Sequence, residues 1–277
     1  MNRYEDALHK NVVPRVAVVI TSYIPDNGVR EYWLGVKDYK LDTLKMNLAS
    51  HKHYTPGISY DLIIINNGVT NKEGLEFLNS IGALQRENLG FGFGGWKFAW
   101  ETFKDKGYSH YLFTEDDMAP TKDGWLRDIF DKFYSEDGIG AVGSYVETHT
   151  IDSGIAKQTL VALGSDRKLF YCFDGCFTFT SSEILRQVDT IGGLTVFDCK
   201  PHGKLSPSVN ELAFQSQILE LGYYITSFND GNHSVVHGGQ IFEGGFEDKG
   251  PMEPIVNLNG RFKIPEVAKI YEWYQKE

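Results

Sequence analysis

His110-Tyr-Leu-Phe-Thr-Glu-Asp-Asp117 is an apolar run, long enough for one buried strand, that ends in three consecutive acids. In open α/β sheets, ligands bind beyond the carboxyl ends of the strands. Adjacent carboxylates repel one another, and a divalent cation removes that cost. Strand alternation would point Glu115 and Asp117 the same way and Asp116 elsewhere. We therefore expect a Mg²⁺ or Mn²⁺ site here, with an acidic solvated turn as the alternative.

Strand and helix patterns alternate on both sides of this run. Residues 15–23 and 60–67 are apolar, β-branched segments that suit strands buried on both faces, and residues 83–88 suit a shorter strand. The intervening helical patterns cover residues 31–50, 72–81 and 94–106. This β-α-β-α-β-α-β order predicts an α/β fold with a mainly parallel central sheet flanked by helices.

The second half of the chain has a different pattern. Strands are expected over residues 139–146, 158–164, 169–180 and 223–228, and helices over 182–189 and 208–221, which predicts a smaller mixed sheet. Beyond residue 229 the chain is rich in glycine, which indicates either a mobile lid or a plain surface loop. His233 and His237 have the spacing of a zinc helix, but Val235-Val236 and Gly238-Gly239 argue against helix. A single histidine that meets the metal of the acidic triplet is favoured over a two-histidine zinc site, and a structural histidine is the alternative for each.

Composition excludes several classes of protein. The 277 residues carry a formal net charge of −10, which argues against a general nucleic-acid binder. Three cysteines, an odd number, are interpreted as reduced thiols of a cytoplasmic protein. No apolar run reaches the roughly 20 residues of a membrane helix. The absence of linkers and repeats favours one continuous domain over residues 1–277.

Two further segments carry candidate chemistry. Glu87-Asn-Leu-Gly-Phe-Gly-Phe-Gly-Gly-Trp96 opens a helix, and backbone amides at such an end favour an anion; a flexible turn is the alternative. Asn210 to Gly222 has a helical pattern with Glu211 in its first turn. Glu211 is a candidate general base if it borders a pocket, and otherwise a helix-capping acid.

Together these segments, over about residues 15–239, resemble the nucleotide-sugar glycosyltransferases of the GT-A fold, most closely glycosyltransferase family 2 with its rhamnosyltransferase-like members. The resemblance implies a single GT-A (Rossmann-like) domain. Residues 15–118 would form the nucleotide-sugar-binding half and residues 119–239 the acceptor-side half, which includes the smaller mixed sheet. Residues 240–277 would be a C-terminal extension.

The same resemblance implies roles for individual residues. Asp117 and His237 take the metal positions, and Glu211 takes the position of the catalytic base, with Asp174 as the next candidate. The chain departs from the family in having Glu115 as the first acid of the DxD motif, Asn210-Glu211 for a Glu-Asp pair, and Gln217 for an arginine. The residues implied in binding the nucleotide sugar are Thr21, Ser22, Tyr23, Asn66, Asn67, Asn88, Gly90, Gly94, Gly95, Glu115 and Asp116.

The activity implied by the resemblance is metal-dependent, inverting transfer of a sugar, of hexosyltransferase type. The donor is a nucleoside diphosphate sugar and the cofactor is Mn²⁺ or Mg²⁺. The acceptor is a hydroxyl of a saccharide, a lipid-linked saccharide, a protein or a modified nucleobase, and the location is cytoplasmic, free or peripheral at the membrane. A nucleotidyltransferase-like enzyme and an inactive nucleotide- or sugar-binding module are the alternatives.

Overall fold

The computed structural model describes residues 14–31, 37–143, 146–150, 169–173, 177–197, 208–227 and 235–237. The strands within these ranges are β1 (Val16–Ser22), β2 (Val29–Glu31), β3 (Lys37–Tyr39), β4 (Tyr60–Asn67), β5 (Leu84–Arg86), β6 (His110–Glu115), β7 (Met118–Pro120), β8 (Ile139–Gly143), β9 (Val146–Thr150), β10 (Leu169–Phe173), β11 (Phe177–Ser181), β12 (Tyr224–Ser227) and β13 (Val235–His237). The helices are α1 (Lys40–His53), α2 (Lys72–Ser80), α3 (Phe91–Phe103), α4 (Trp125–Phe133), α5 (Ser182–Thr190) and α6 (Ser208–Glu220).

Seven of the described strands form the central sheet, in the order β12-β8-β11-β6-β1-β4-β5. Strand β11 runs antiparallel to both of its neighbours, and the other four pairings are parallel. Three two-stranded antiparallel ladders accompany it: β9 with β10, β7 with β13, and β2 with β3. The predicted α/β class, with a mainly parallel sheet flanked by helices, is confirmed. The strands predicted for a smaller mixed sheet are divided: β8, β11 and β12 join the central sheet, and β10 pairs with β9 in an antiparallel ladder.

Strand β6 shows why helices cover both faces of the sheet. Successive side chains of a strand point to opposite faces. Trp96 and Trp100 of α3 pack against Phe113 and Tyr111, respectively, with ring centroids 5.5 and 5.3 Å apart. The first residue of the strand, His110, contacts the aromatic rings of α4 on the other face. A strand buried on both faces needs apolar residues at nearly every position, which is the pattern of this run.

Helix α1 is shorter than predicted. The sequence predicts a helix over residues 31–50, but Glu31 belongs to β2, residues 37–39 form β3, and α1 begins at Lys40. The backbone of residues 29–31 and 37–39 is paired in a ladder, which takes the hydrogen bonds that a helix would need. The apolar spacing of Leu41, Leu44 and Leu48 is correctly interpreted, because these residues lie within α1.

Other boundaries differ by smaller amounts. Helix α3 begins at Phe91, three residues earlier than expected, and β5 is limited to Leu84–Arg86. The strand expected over 169–180 is two strands in different sheets, with 174–176 outside the described residues. Helix α4 was not predicted, although its pattern of buried residues is amphipathic. The strand expected over 158–164 also lies outside the described residues.

Candidate active site

The carboxyl ends of three neighbouring strands meet at one edge of the sheet. The register pairs Ser22 with Asn66 and Thr21 with Glu115, so β1, β4 and β6 end at the same level. The ladder between β7 and β13 then pairs His237 with Met118, the residue that follows Asp117. This edge therefore gathers the polar ends of β1 and β4, the acidic turn after β6 and the backbone of His237.

The acidic turn, which we define as residues 115–117, contains a cation of the protein itself. The Lys40 ammonium pairs with the Asp116 carboxylate and lies 3.5 Å from Asp117 Oδ2. The three side chains are buried, with 1–4% of their surface exposed. Burial raises the pKa of Asp116, as does the nearby Asp117 charge to a smaller extent, whereas Lys40 acts in the opposite direction. The charges of this turn are thus partly balanced within the fold.

Asp116 also connects the acidic turn to the end of β1. Its Oδ2 accepts hydrogen bonds from the Ser22 hydroxyl at 2.7 Å and from the Tyr23 backbone N–H at 3.3 Å. With Lys40, three groups of the protein therefore bind this carboxylate. Asp116 was predicted to contact the nucleotide sugar, and that role remains a prediction; the contacts described for it are internal.

Helix α1 holds the same turn through a polar stripe, which consists of Lys40, Thr43, Asn47 and Ser50, all buried. Asn47 Nδ2 donates to the Asp116 carbonyl at 3.0 Å, and the Ser50 hydroxyl donates to the Pro120 carbonyl. Spacings of three and four residues place the stripe on one helix face. Polar side chains on one buried face of α1 therefore bind residues 116–120.

The expected alternation of the three acids does not hold. Glu115 is the last residue of β6, and Asp116 and Asp117 form a turn, so the two-residue period of a strand ends before them. Asp116 and Asp117 both approach Lys40. The Glu115 carboxylate lies instead beside Gly92 of α3, where an added Cβ would come within 2.5 Å of Oε1.

The end of β4 is held by a network of amides and one guanidinium. Asn67 Nδ2 donates to Asn88 Oδ1 and to the Phe91 carbonyl, both at 3.0 Å. Arg86 donates to Asn67 Oδ1 and, at 2.8 Å, to the Leu89 carbonyl. Partial burial lowers the pKa of the Arg86 guanidinium. This network fixes the glycine-rich segment against the sheet.

Glycine is required where α3 meets this network. Gly90 has φ +76° and precedes Phe91, which has φ +55°, an uncommon conformation for a residue with a side chain. A Cβ on Gly94 would lie 1.9 Å from the Leu89 carbonyl oxygen, and one on Gly95 would lie 2.5 Å from Thr21 Oγ1. The glycines therefore let the first turn of α3 approach β1 closely.

Asn210 joins the glycine-rich segment to α6. Its Oδ1 accepts a hydrogen bond from the Phe197 N–H at 2.6 Å, and its Nδ2 donates to the Phe197 carbonyl at 3.0 Å and to the Gly90 carbonyl at 3.4 Å. The side chain is fully buried. Glu211 is the next residue, so the backbone of the candidate base is tied to the start of α3.

The predicted site residues fall into three groups. Most of those on β1, β4, α3 and the acidic turn are brought together, and among them Tyr23 is 43% exposed. For Glu211 and His237 the structure describes the backbone, in the first turn of α6 and in β13. Asp174 lies outside the described residues. The roles of all of them remain predictions.

A divalent cation was expected at Asp117 and His237. Among the described side chains, which exclude that of His237, no three His, Cys, Asp or Glu residues are grouped as metal ligands. A carboxylate oxygen and an imidazole nitrogen are both ligands that Mn²⁺ accepts. The pairing of His237 with Met118 places the backbone of His237 close to that of Asp117, the residue before Met118. The chemistry of these two donors fits Mn²⁺ or Mg²⁺, and the metal site remains a prediction.

Sequence reasoning did not identify Lys40, Asn47 or Arg86. The first two lie about 70 residues from the turn that they contact, so no local motif connects them. The available signal was the polar stripe at helical spacing in α1, which is easily interpreted as a solvent-exposed face. Arg86 directly precedes the glycine-rich segment and could have been found by its position.

No protein-family model and no curated protein matches the sequence. Solved structures with a similar fold include a mannosyltransferase from Pyrobaculum calidifontis with GDP-Man and Mn²⁺ (13% identity, TM-score 0.45, 78% of this chain and 55% of that one). Another is the catalytic domain of Drosophila β1,4-galactosyltransferase 7 with xylobiose (11%, 0.43, 81% and 71%). A third is CMP:2-keto-3-deoxy-manno-octonic acid synthetase with CTP (10%, 0.42, 77% and 88%). At these values the likenesses assign neither a family nor an activity.

Among the described helices, none has the length and apolar character needed to cross a membrane.

Proposed function

We propose that the chain is a glycosyltransferase that moves a sugar from a nucleoside diphosphate sugar to a hydroxyl acceptor. The observation that supports this most is the convergence of the polar ends of β1 and β4, the glycine-rich start of α3 and the acidic turn at one edge of the sheet. Ligand sites in open α/β sheets lie at this edge. We also propose one GT-A domain over residues 1–277, divided near residues 118 and 239.

In this proposal the donor lies along the edge between β1 and α3. Tyr23 is exposed and offers a ring surface and a backbone for the nucleoside. Glu115 is partly exposed and suits a hydroxyl of the ribose or sugar. The first turn of α3 presents backbone N–H groups, which favour a phosphate. The buried Asn66 and Asn67 support this surface through their hydrogen bonds.

Asp117 and His237 would hold a divalent ion, Mn²⁺ or Mg²⁺. When bound, such an ion neutralises negative charge that develops on the diphosphate leaving group. The chain's own contribution is to orient the Asp117 carboxylate, whose Oδ2 lies 3.5 Å from the Lys40 ammonium. The matching of a carboxylate and an imidazole as donors supports this assignment.

Glu211 is the proposed general base, which removes the proton of the acceptor hydroxyl as that oxygen attacks the anomeric carbon. The new bond forms as the bond to the diphosphate breaks, so the configuration inverts. The position of Glu211 next to Asn210, whose side chain contacts Gly90, supports a location beside the donor. Asp174 is the alternative base. We propose a reaction in the cytoplasm, consistent with an odd number of cysteines.

The test is incubation of the protein with UDP-, GDP- and TDP-sugars and Mn²⁺, followed by measurement of nucleoside diphosphate release. Slow donor hydrolysis that is lost in Asp117→Asn is the expected result. Release of pyrophosphate from a nucleoside triphosphate would instead indicate a nucleotidyltransferase. Nucleotide binding with neither hydrolysis nor transfer in any acceptor mixture would indicate a binding module.

A further inference from the structure

We propose that Lys40 is a positioning residue for this site: its ammonium group is a built-in cation that fixes Asp116 and Asp117, so that the acidic turn is shaped before any divalent ion binds. The effect of Lys40 on ligand binding rests on the proposed function. Its structural role rests on contacts alone. Lys40 pairs with both carboxylates, and all three side chains are at most 4% exposed.

The location of Lys40 is unfavourable unless its positive charge is paired. It is the first residue of α1, and a positive charge at a helix N-terminus opposes the helix dipole. Burial of an ammonium group adds a large desolvation cost unless the group is paired. Both costs are offset at this position by two carboxylates that arrive from the end of β6.

The pairing matters for the site because Asp116 has further partners. The carboxylate that Lys40 holds also binds the Ser22 hydroxyl and the Tyr23 N–H. Lys40 therefore connects the start of α1, the end of β1 and the acidic turn. Removing its charge would leave two buried carboxylates to repel each other, and both Tyr23 and Asp117 would lose their fixed positions.

Three variants test this role: Lys40→Met, the double variant Lys40→Met/Asp116→Asn, and Lys45→Met as a matched control. Lys45 lies on the same helix and is 30% exposed, and its nearest acid, Glu73, is 3.8 Å away at the surface. The measurements are the Tm in EDTA and the Kd of UDP and GDP with Mn²⁺, taken well below the Tm. EDTA removes any contribution of a divalent ion to the Tm.

We expect Lys40→Met to lower the Tm in EDTA by about 10 °C, because two buried carboxylates lose the cation that they share. We also expect it to weaken the binding of the nucleoside diphosphate by about tenfold. The double variant should recover at least half of both losses, since the substituted amide keeps an oxygen for Ser22 and Tyr23 but carries no charge. Lys45→Met should match the wild type.

The proposal is wrong if Lys40→Met has the Tm of the wild type, or if Asp116→Asn adds a further loss to it. If Lys40→Met fails to fold, a folded double variant supports the proposal and an unfolded one overturns it. A wild type that binds no nucleoside diphosphate would contradict the proposed function, but the Tm comparison would still decide the role of Lys40.

Discussion

At the scale of single residues, the site depends on polar side chains that are buried and bound by the protein. Asp116 has three internal partners, and Asn210 makes three hydrogen bonds from full burial. In the proposed reaction, the chemical roles belong to the residues that follow them in the sequence, Asp117 and Glu211. A buried polar network is stable while each of its groups has a hydrogen-bond partner, and the loss of one partner lowers the stability of the fold.

Replacement of Asn210 should show this cost. Asn210→Leu leaves the Phe197 N–H and carbonyl without their partner, so we expect a loss of about 2–4 kcal/mol in the free energy of unfolding. Ser216 is the control: it lies on the same helix, is 1% exposed, and its hydroxyl has no hydrogen-bond partner among the described residues. Ser216→Ala should change the free energy by less than about 1 kcal/mol. Equal losses in urea unfolding would show that the Asn210 bonds contribute little.

Glu211→Gln tests the proposed base. The amide keeps the size of the side chain but cannot accept the acceptor proton, so donor affinity should stay within about twofold while transfer falls by about 10²-fold or more. Donor titration and a transfer assay measure the two effects separately. Unchanged turnover would exclude Glu211 and direct attention to Asp174.

At the scale of elements, the sequence predicted the helices and strands whose character is set by residues close together in the chain. Strands β1 and β6 are buried along nearly their whole length and have the apolar runs that a strand covered on both faces requires, whereas β4 is buried mainly from Ile63 onward. The contacts of α1 were not predictable in the same way. Besides the apolar Leu44 and Met46, this helix buries a polar stripe that binds a turn far along the chain, and a polar helix face usually indicates solvent.

The start of α3 is the element whose geometry is most demanding. Gly94→Ala places a Cβ 1.9 Å from the Leu89 carbonyl oxygen, so the turn before α3 must move. We expect nucleoside diphosphate affinity to fall by about tenfold or more, together with some stability. Gly107→Ala is the control, since its Cβ meets open space and only its φ of +80° is unfavourable. A fall in Tm without a fall in affinity in Gly94→Ala would separate α3 from the donor site.

At the scale of the whole molecule, the site lies at one edge of the central sheet, and two buried histidines lie away from it, His51 in α1 and His110 at the start of β6. Burial lowers the pKa of both His51 and His110 to about 3. Their ring nitrogens bond the hydroxyls of Tyr60 and Tyr134, respectively, at 2.9 and 2.8 Å. Both rings are neutral in the folded protein at any pH near neutrality.

This burial predicts a decline of stability in mild acid. Below a pH of about 6.5 the unfolded chain binds protons that the folded histidines do not, so stability falls as the pH falls from there towards about 3. At a pH of about 5.5 the loss is about 1.4 kcal/mol for each histidine relative to a pH of about 7.5. His51→Gln should remove one such contribution from the pH profile of urea unfolding. An unchanged slope of unfolding free energy against pH would mean that His51 binds its proton at the same pH in the folded protein as in the unfolded chain.

We propose that the edge of the sheet at the acidic turn binds and activates a nucleoside diphosphate sugar. The most direct test measures nucleoside diphosphate release from a panel of donor sugars with Mn²⁺, in the wild type and in Asp117→Asn. We predict release by the wild type with at least one donor, and a loss of about 10²-fold or more in the variant. Equal release by the two proteins, or none by the wild type with any donor and acceptor mixture, would contradict the claim.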